Sequence, residues 1–212
     1  MQNKVSLPVI RRLPRYYRYV EEMIARGIER VSSSELADLM GSTASQVRQD
    51  FNCFGGFGQQ GVGYNTSVLY EKLKELIFQD AILPAILIGV GSLGHTIARY
   101  ISQECFGVSL VAAFDIQEDL FGEKVENVDI YSMDFLESFC REHNPQIAVI
   151  CVPKEAAQQM AERIIKLNLN GIWNFTHCDF SLYDDNLIVE NVYLQDSMMS
   201  LQFRINNIDL GE

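Results

Sequence analysis

Near the middle of the chain, Ala85-Ile-Leu-Ile-Gly89-Val90-Gly91-Ser92-Leu93-Gly94 is an apolar run that opens onto three glycines spaced G-x-G-x-x-G, followed by the helix-forming Thr96–Ile101. That arrangement suits the pyrophosphate of a dinucleotide. Gly89 permits a tight turn, Gly91 lets phosphate oxygens reach backbone amides at a helix N-terminus, and Gly94 lets that helix pack on the strand before it. A second apolar run, Ser109–Phe114, ends in Asp115, 21 residues beyond Gly94. A strand-end acid there accepts hydrogen bonds from the adenine ribose hydroxyls. It also repels a 2′-phosphate, and Ile116 and Gln117 supply no arginine to attract one, so NADH and NAD⁺ are favoured over their phosphorylated forms.

Groups for turnover are scarce. A dehydrogenase needs a general acid or base beside the nicotinamide, and the three histidines are His95 in the glycine-rich loop, His143 on a connecting helix and His177 beside Cys178. Only about 130 residues follow the boundary proposed below, room for a cofactor-binding half without a substrate domain. No catalytic residue is assigned. The five cysteines are odd in number, widely spaced and form no C-x-x-C pair, so neither a disulfide framework nor a metal site is expected.

The first third carries a different chemistry. Ala44–Phe54 reads as a helix with Val47, Phe51 and Phe54 inward and Ser45, Gln46, Arg48, Gln49 and Asn52 outward. Those outward groups can pair with base edges in a major groove or with phosphates. Residues 1–78 hold ten Lys and Arg against eight Asp and Glu, whereas residues 79–212 hold seven against twenty, so the net charge of −11 hides a mildly basic N-terminal part. Arg11, Arg12, Arg15 and Arg18 add a basic face on the first helix, with Arg12 taken as a DNA contact.

The elements that must position these groups follow from periodicity. Val9, Leu13, Tyr16, Tyr17, Val20, Met23 and Ile24 mark a helix from Pro8 to about Arg26, stopped by Gly27. Ser32-Ser33-Ser34-Glu35 reads as a capping box for a two-turn helix, and Gly41 turns the chain towards a third helix capped by Ser42 or Thr43. Helix, glycine turn and helix make a helix-turn-helix. The segment Phe54–Tyr64, five glycines between aromatics, then suits a wing hairpin. Residues 66–78 close the domain with a helix, and Gln79–Pro84 is the boundary. Beyond it, strands at Val128–Tyr131, Ile147–Val152 and Gly171–Phe175, with a helix Lys154–Asn168, complete a parallel α/β sheet of Rossmann type. Its carboxyl edge brings Val152, Pro153, Asn174 and Phe175 towards the nicotinamide. Three parts are expected: residues 1–80, an all-α winged-helix DNA-binding domain; 81–195, a parallel-sheet NAD(H)-binding domain; and 196–212, a C-terminal helix. No apolar run is long enough to span a membrane, and the N-terminus lacks the apolar core of a secretory signal, so a cytoplasmic protein is expected.

In their order and spacing, Gln46-Val-Arg48-Gln-Asp50, Gly61-Val-Gly63-Tyr64, Gly89-Val-Gly91-Ser-Leu-Gly94, Val152-Pro153 and Asn174-Phe175 resemble the Rex family of bacterial redox-sensing repressors over nearly the whole chain. The resemblance implies a homodimer on palindromic double-stranded operator DNA, with a C-terminal helix, here about Ser197–Ile205, swapped onto the partner. It implies NADH and NAD⁺ as effectors, NADH releasing the DNA, and Gly61, Gly63 and Tyr64 in a DNA-contacting wing. Two positions depart from the family pattern. Tyr193 follows Glu190-Asn191-Val192 where an acid that pairs with a first-helix arginine (Arg18 here) is usual, and Gln60 stands where the wing usually has a basic residue. The competing readings are a small NAD-dependent oxidoreductase with an appended helical domain, and a Rossmann-type interaction protein that binds nucleotide only structurally.

Overall fold

The computed structural model describes residues 5–57, 63–79, 81–182 and 187–207, and its contacts divide the chain into two compact units, Met1–Ala81 and Ile82–Glu212.

In the first unit, α1 (Leu7–Ala25) starts with a proline in its first turn, where the missing N–H costs nothing. Its buried Val9, Leu13, Tyr16, Val20 and Met23 keep the three-and-four spacing of one helix face. After Gly27 comes a two-residue strand, β1 (Arg30–Val31), which periodicity did not reveal because it is so short. Helix α2 (Ser33–Met40) has the capping box in full: Glu35 N–H donates to Ser32 Oγ at 3.1 Å and Ser32 N–H donates to Glu35 Oε2 at 2.7 Å. Gly41 ends it at φ +62°, and α3 (Ala44–Asn52) is capped by Thr43, whose hydroxyl accepts from Gln46 N–H. This helix stops two residues short of the expected Phe54, because Gly55 and Gly56 at φ +90° and +76° take the chain out of the helical region. Strand β2 (Tyr64–Asn65) pairs antiparallel with β1, and α4 (Thr66–Phe78) begins on an Asn65 side-chain cap. The core centres on Phe51, whose ring lies edge-on to Tyr16, Phe57 and Tyr64 at 4.9, 5.0 and 5.1 Å. Such pairs contribute about 0.5–1.5 kcal/mol each beyond area burial. Residues 58–62, which include Gln60 and Gly61 of the expected wing, lie outside the described residues.

The second unit runs β3 (Leu83–Ile88), α5 (Ser92–Glu104), β4 (Val108–Asp115), β5 (Lys124–Val125), β6 (Val128–Ser132), α6 (Leu136–His143), β7 (Ile147–Ile150), α7 (Lys154–Ile165), β8 (Gly171–Asn174), β9 (Ile188–Asn191) and α8 (Leu194–Asn206). Its sheet has the order β5-β6-β4-β3-β7-β8-β9. Every pairing is parallel except the short β5–β6 edge. Without β5 the strands read 3-2-1-4-5-6, the doubly wound dinucleotide-binding topology. Alternation along β3 splits the core: Ile86 and Ile88 join Phe114, Leu136 and Ala157 on one face, and Ala85 and Leu87 join Ala98 and Ile101 on the other. Helix α8 begins at Leu194 and contains no buried residue. Among the described residues, no helix is long and apolar enough to cross a membrane.

Candidate nucleotide and DNA-binding sites

In the doubly wound topology the ligand crevice opens where the strand order reverses, here between the carboxyl ends of β3 and β7. The three glycines there have separable jobs. A Cβ on Gly94 would stand 2.0 Å from the Gly89 carbonyl oxygen, so α5 can lie this close to the end of β3 only with a glycine. Gly89 has φ +94°, and its Cβ would meet the Cys151 carbonyl at 2.8 Å and Val152 Cγ1 at 2.7 Å. A Cβ on Gly91 would meet nothing within 4 Å among the described residues. Gly91 is the N-cap of α5, with no side chain capping the first turn. Amides of Ser92 and Leu93 and the positive end of the helix dipole therefore face a space that suits a phosphate.

Asp115 ends β4 beside this loop and is 9% exposed. Its Oδ2 accepts from Val90 N–H at 2.6 Å, and its Oδ1 from Ile116 and Gln117 N–H at 2.7 and 3.0 Å. The carboxylate thus ties the glycine-rich loop to the neighbouring strand, a second job the sequence did not disclose, while Oδ2 keeps one lone pair for a ribose hydroxyl. On the other side, Val152 leans on Gly89, Pro153 caps α7, and Phe175 N–H donates to Ile150 O at 3.0 Å. The Phe175 ring stacks edge-on with Trp173 at 4.7 Å. Cys151, not singled out in the sequence, has its thiol pushed up to about 12 by burial, so it stays protonated at neutral pH.

Asn174 requires a correction. It is fully buried, and its amide is saturated: Nδ2 donates to Cys178 O and to Asn191 Oδ1, both at 2.7 Å, and Oδ1 accepts from Thr176 N–H and Thr176 Oγ. No group is left for a nicotinamide. Asn174 instead joins the loop after β8 to the end of β9, and the His177 ring stacks on Tyr193 at 5.6 Å, at the start of α8.

The DNA-facing candidates divide similarly. On α3, Ser45, Arg48, Gln49 and Asn52 are exposed, and Arg48 Nη1 donates to Ser33 Oγ at 3.0 Å. Arg12 also forms an ion pair: its Nε and Nη2 hold Asp50 at 2.6 and 2.8 Å, which leaves the Nη1 donors of its guanidinium over. Tyr64 is 9% exposed and its ring packs on Phe51, where it anchors the returning strand β2 in the core. Gly63 has φ +74°, and its Cβ would lie 2.7 Å from Val31 O. Sequence reasoning missed the buried Asp50. Its signal was present, because Asp50 falls in the apolar stripe Val47, Phe51 of α3, where an unpaired carboxylate would be prohibitive. Burial raises its carboxyl, and hydrogen bonds from Arg12, Gln46 and Tyr16 outweigh burial and hold it below the usual carboxylate range. Burial and the bond to Asp50 raise the Tyr16 hydroxyl.

A helix-turn-helix unit whose third helix exposes a polar face, followed by a dinucleotide-binding fold, is the architecture of a nucleotide-responsive DNA-binding regulator. Comparison with known proteins narrows this class. Residues 4–52 match the family model described as "Putative DNA-binding protein N-terminus", and residues 80–178 that described as "CoA binding domain". The redox-sensing transcriptional repressor Rex of Thermoanaerobacter pseudethanolicus is 44% identical over 209 residues, covering 99% of this chain and 93% of the relative. That of Caldicellulosiruptor saccharolyticus is 47% identical, covering 97% and 93%. Among solved structures, RSP in complex with β-NADH superposes with TM-score 0.88 at 41% identity, covering 98% of this chain and 97% of that one. RSP with β-NAD⁺ and operator DNA superposes with TM-score 0.89 at 44% identity, covering 98% and 95%. The chain belongs to the Rex family of redox-sensing transcriptional repressors.

Proposed function

We propose that this chain is a redox-sensing repressor rather than an oxidoreductase: it holds operator DNA through its winged helix and releases it when NADH fills the Rossmann site. The observation that carries this reading is the open space at Gly91, beside Asp115, in the same chain as the exposed polar face of α3. Gly89–Gly94 would cradle the pyrophosphate, Asp115 the adenine ribose, and Val152, Pro153 and Phe175 the nicotinamide. NADH lacks the pyridinium charge of NAD⁺, so it enters an apolar pocket at lower cost, and this differential binding energy is what a switch requires. Ser45, Arg48 and Gln49 would meet the major groove, with Gly61 and Gly63 in the wing.

The same reading makes the repressor a cytoplasmic homodimer. Helix α8 exposes Leu194, Met198, Met199, Leu201, Phe203 and Ile205, an apolar surface that a second copy would cover. A symmetric dimer places two recognition helices on the half-sites of a palindrome, about one helical turn apart, so a rotation between copies breaks the match. Titration of a palindromic operator fragment with and without NADH tests the proposal. Binding in NAD⁺ that is lost in NADH is expected; binding indifferent to NADH would overturn it.

A further inference from the structure

Behind the recognition helix lies a carboxylate with no exposed surface. Asp50 accepts from Arg12 Nε at 2.6 Å, and from Arg12 Nη2, Tyr16 Oη and Gln46 Nε2 at 2.8 Å each. Arg12 and Tyr16 belong to α1, and Gln46 stands one turn before Asp50 on α3. Stability alone is a weak reason for such a cluster, because well-packed apolar residues in place of a buried ion pair are often as stable or more so. What the cluster does provide is orientation. An ionised carboxylate can only accept, so only the amino end of the Gln46 amide can face it, and the flip open to an exposed glutamine is forbidden. Gln46 Oε1 is therefore turned away from Asp50, on a half-buried residue beside the exposed Ser45 and Gln49.

We infer that Asp50 is a positioning residue for base recognition, fixing the Gln46 amide so that its Oε1 acceptor meets the major groove and selects a base with an exocyclic amine, adenine or cytosine. Those are the bases that present a donor there; guanine and thymine present acceptors. The inference rests on α3 being the recognition helix of the proposed function.

Selection of binding sites from a randomised duplex library tests it, with each variant's melting temperature measured alongside. Wild type should enrich adenine or cytosine at one position of each half-site. Gln46→Met should lose that preference, about fivefold for one hydrogen bond, at that position and no other. Asp50→Asn, whose amide can donate to Gln46 and so permits the flip, should lose it at the same position. If Asp50→Asn does not fold, Gln46→Lys carries the test: lysine keeps a donor towards Asp50 but has no acceptor, and should turn the preference away from adenine and cytosine. The inference is overturned if Gln46→Met selects the same sites as wild type, if folded Asp50→Asn keeps the full preference, or if Gln46→Lys still enriches adenine or cytosine. A wild-type protein that enriches no site would instead sink the proposed function.

Discussion

Two glycines three residues apart should fail in opposite ways when each gains one methyl group. At Gly94 the added Cβ falls 2.0 Å from a backbone oxygen, so α5 must move bodily away from β3. Overpacking of this kind costs about 1–3 kcal/mol, and a backbone clash this deep belongs at or beyond the top of that range. For a chain of this size that is a fall of roughly 6–12 °C in melting temperature. At Gly91 the backbone is already extended, with φ −73° and ψ −171°, and the new methyl meets nothing within 4 Å among the described residues. The cost is that of alanine for glycine at an N-cap, about 1 kcal/mol or less, or roughly 2–4 °C. That methyl nonetheless stands where the pyrophosphate must approach, so NADH affinity should fall at least about tenfold, near 1.4 kcal/mol. Gly91→Ala should therefore keep operator binding and lose its release by NADH. Calorimetric titration with NADH, paired with thermal melting, separates the two effects. The reasoning is refuted if Gly91→Ala binds NADH as wild type does, or if Gly94→Ala melts within 2–3 °C of wild type.

Asp115→Ala should weaken NADH binding and let NADPH compete, and because the Val90 N–H loses its buried acceptor, stability should also fall by about 1–3 kcal/mol; an unchanged NADH/NADPH ratio by calorimetry contradicts it. Arg48→Ala, on the exposed face of α3, should weaken operator binding well over twofold at moderate salt while leaving NADH affinity intact, as fluorescence anisotropy and NADH titration would report. Because its folded carboxyl lies below the ordinary range, Asp50 contributes stability that is fully present above about pH 4 and lost as pH falls through the lower folded value. For Tyr16 the sign reverses: its raised hydroxyl contributes stability present below about pH 10 and lost as pH rises beyond it. Melting of wild type and Asp50→Asn from pH 3 to 7 checks the acid limb, which the variant should lack.

The glycine-rich loop was legible because its function demands backbone, and backbone demands glycine at fixed spacing. The helices of the first unit were legible for a related reason: capping boxes and left-handed glycines are local chemistry, as at Ser32–Glu35 and Gly41. What escaped was set by tertiary partners. Strands β1 and β5 are two residues long and exist only because β2 and β6 lie alongside. The Arg12–Asp50 ion pair escaped because only the fold brings Asp50, 38 residues on, within 2.6 Å. Asn174 was placed correctly at the sheet's carboxyl edge, but periodicity cannot tell which way an amide turns when β9 supplies Asn191 as its partner.

The central claim is that one chain couples a nucleotide site to a DNA site, and linkage makes that claim measurable. NADH affinity should be determined by calorimetry for the protein alone and for the protein saturated with its operator, at one salt concentration. If NADH releases the DNA, operator must weaken NADH binding by the same factor that NADH weakens operator binding, typically about 5- to 150-fold or roughly 1–3 kcal/mol. Equal NADH affinities with and without operator would contradict the account.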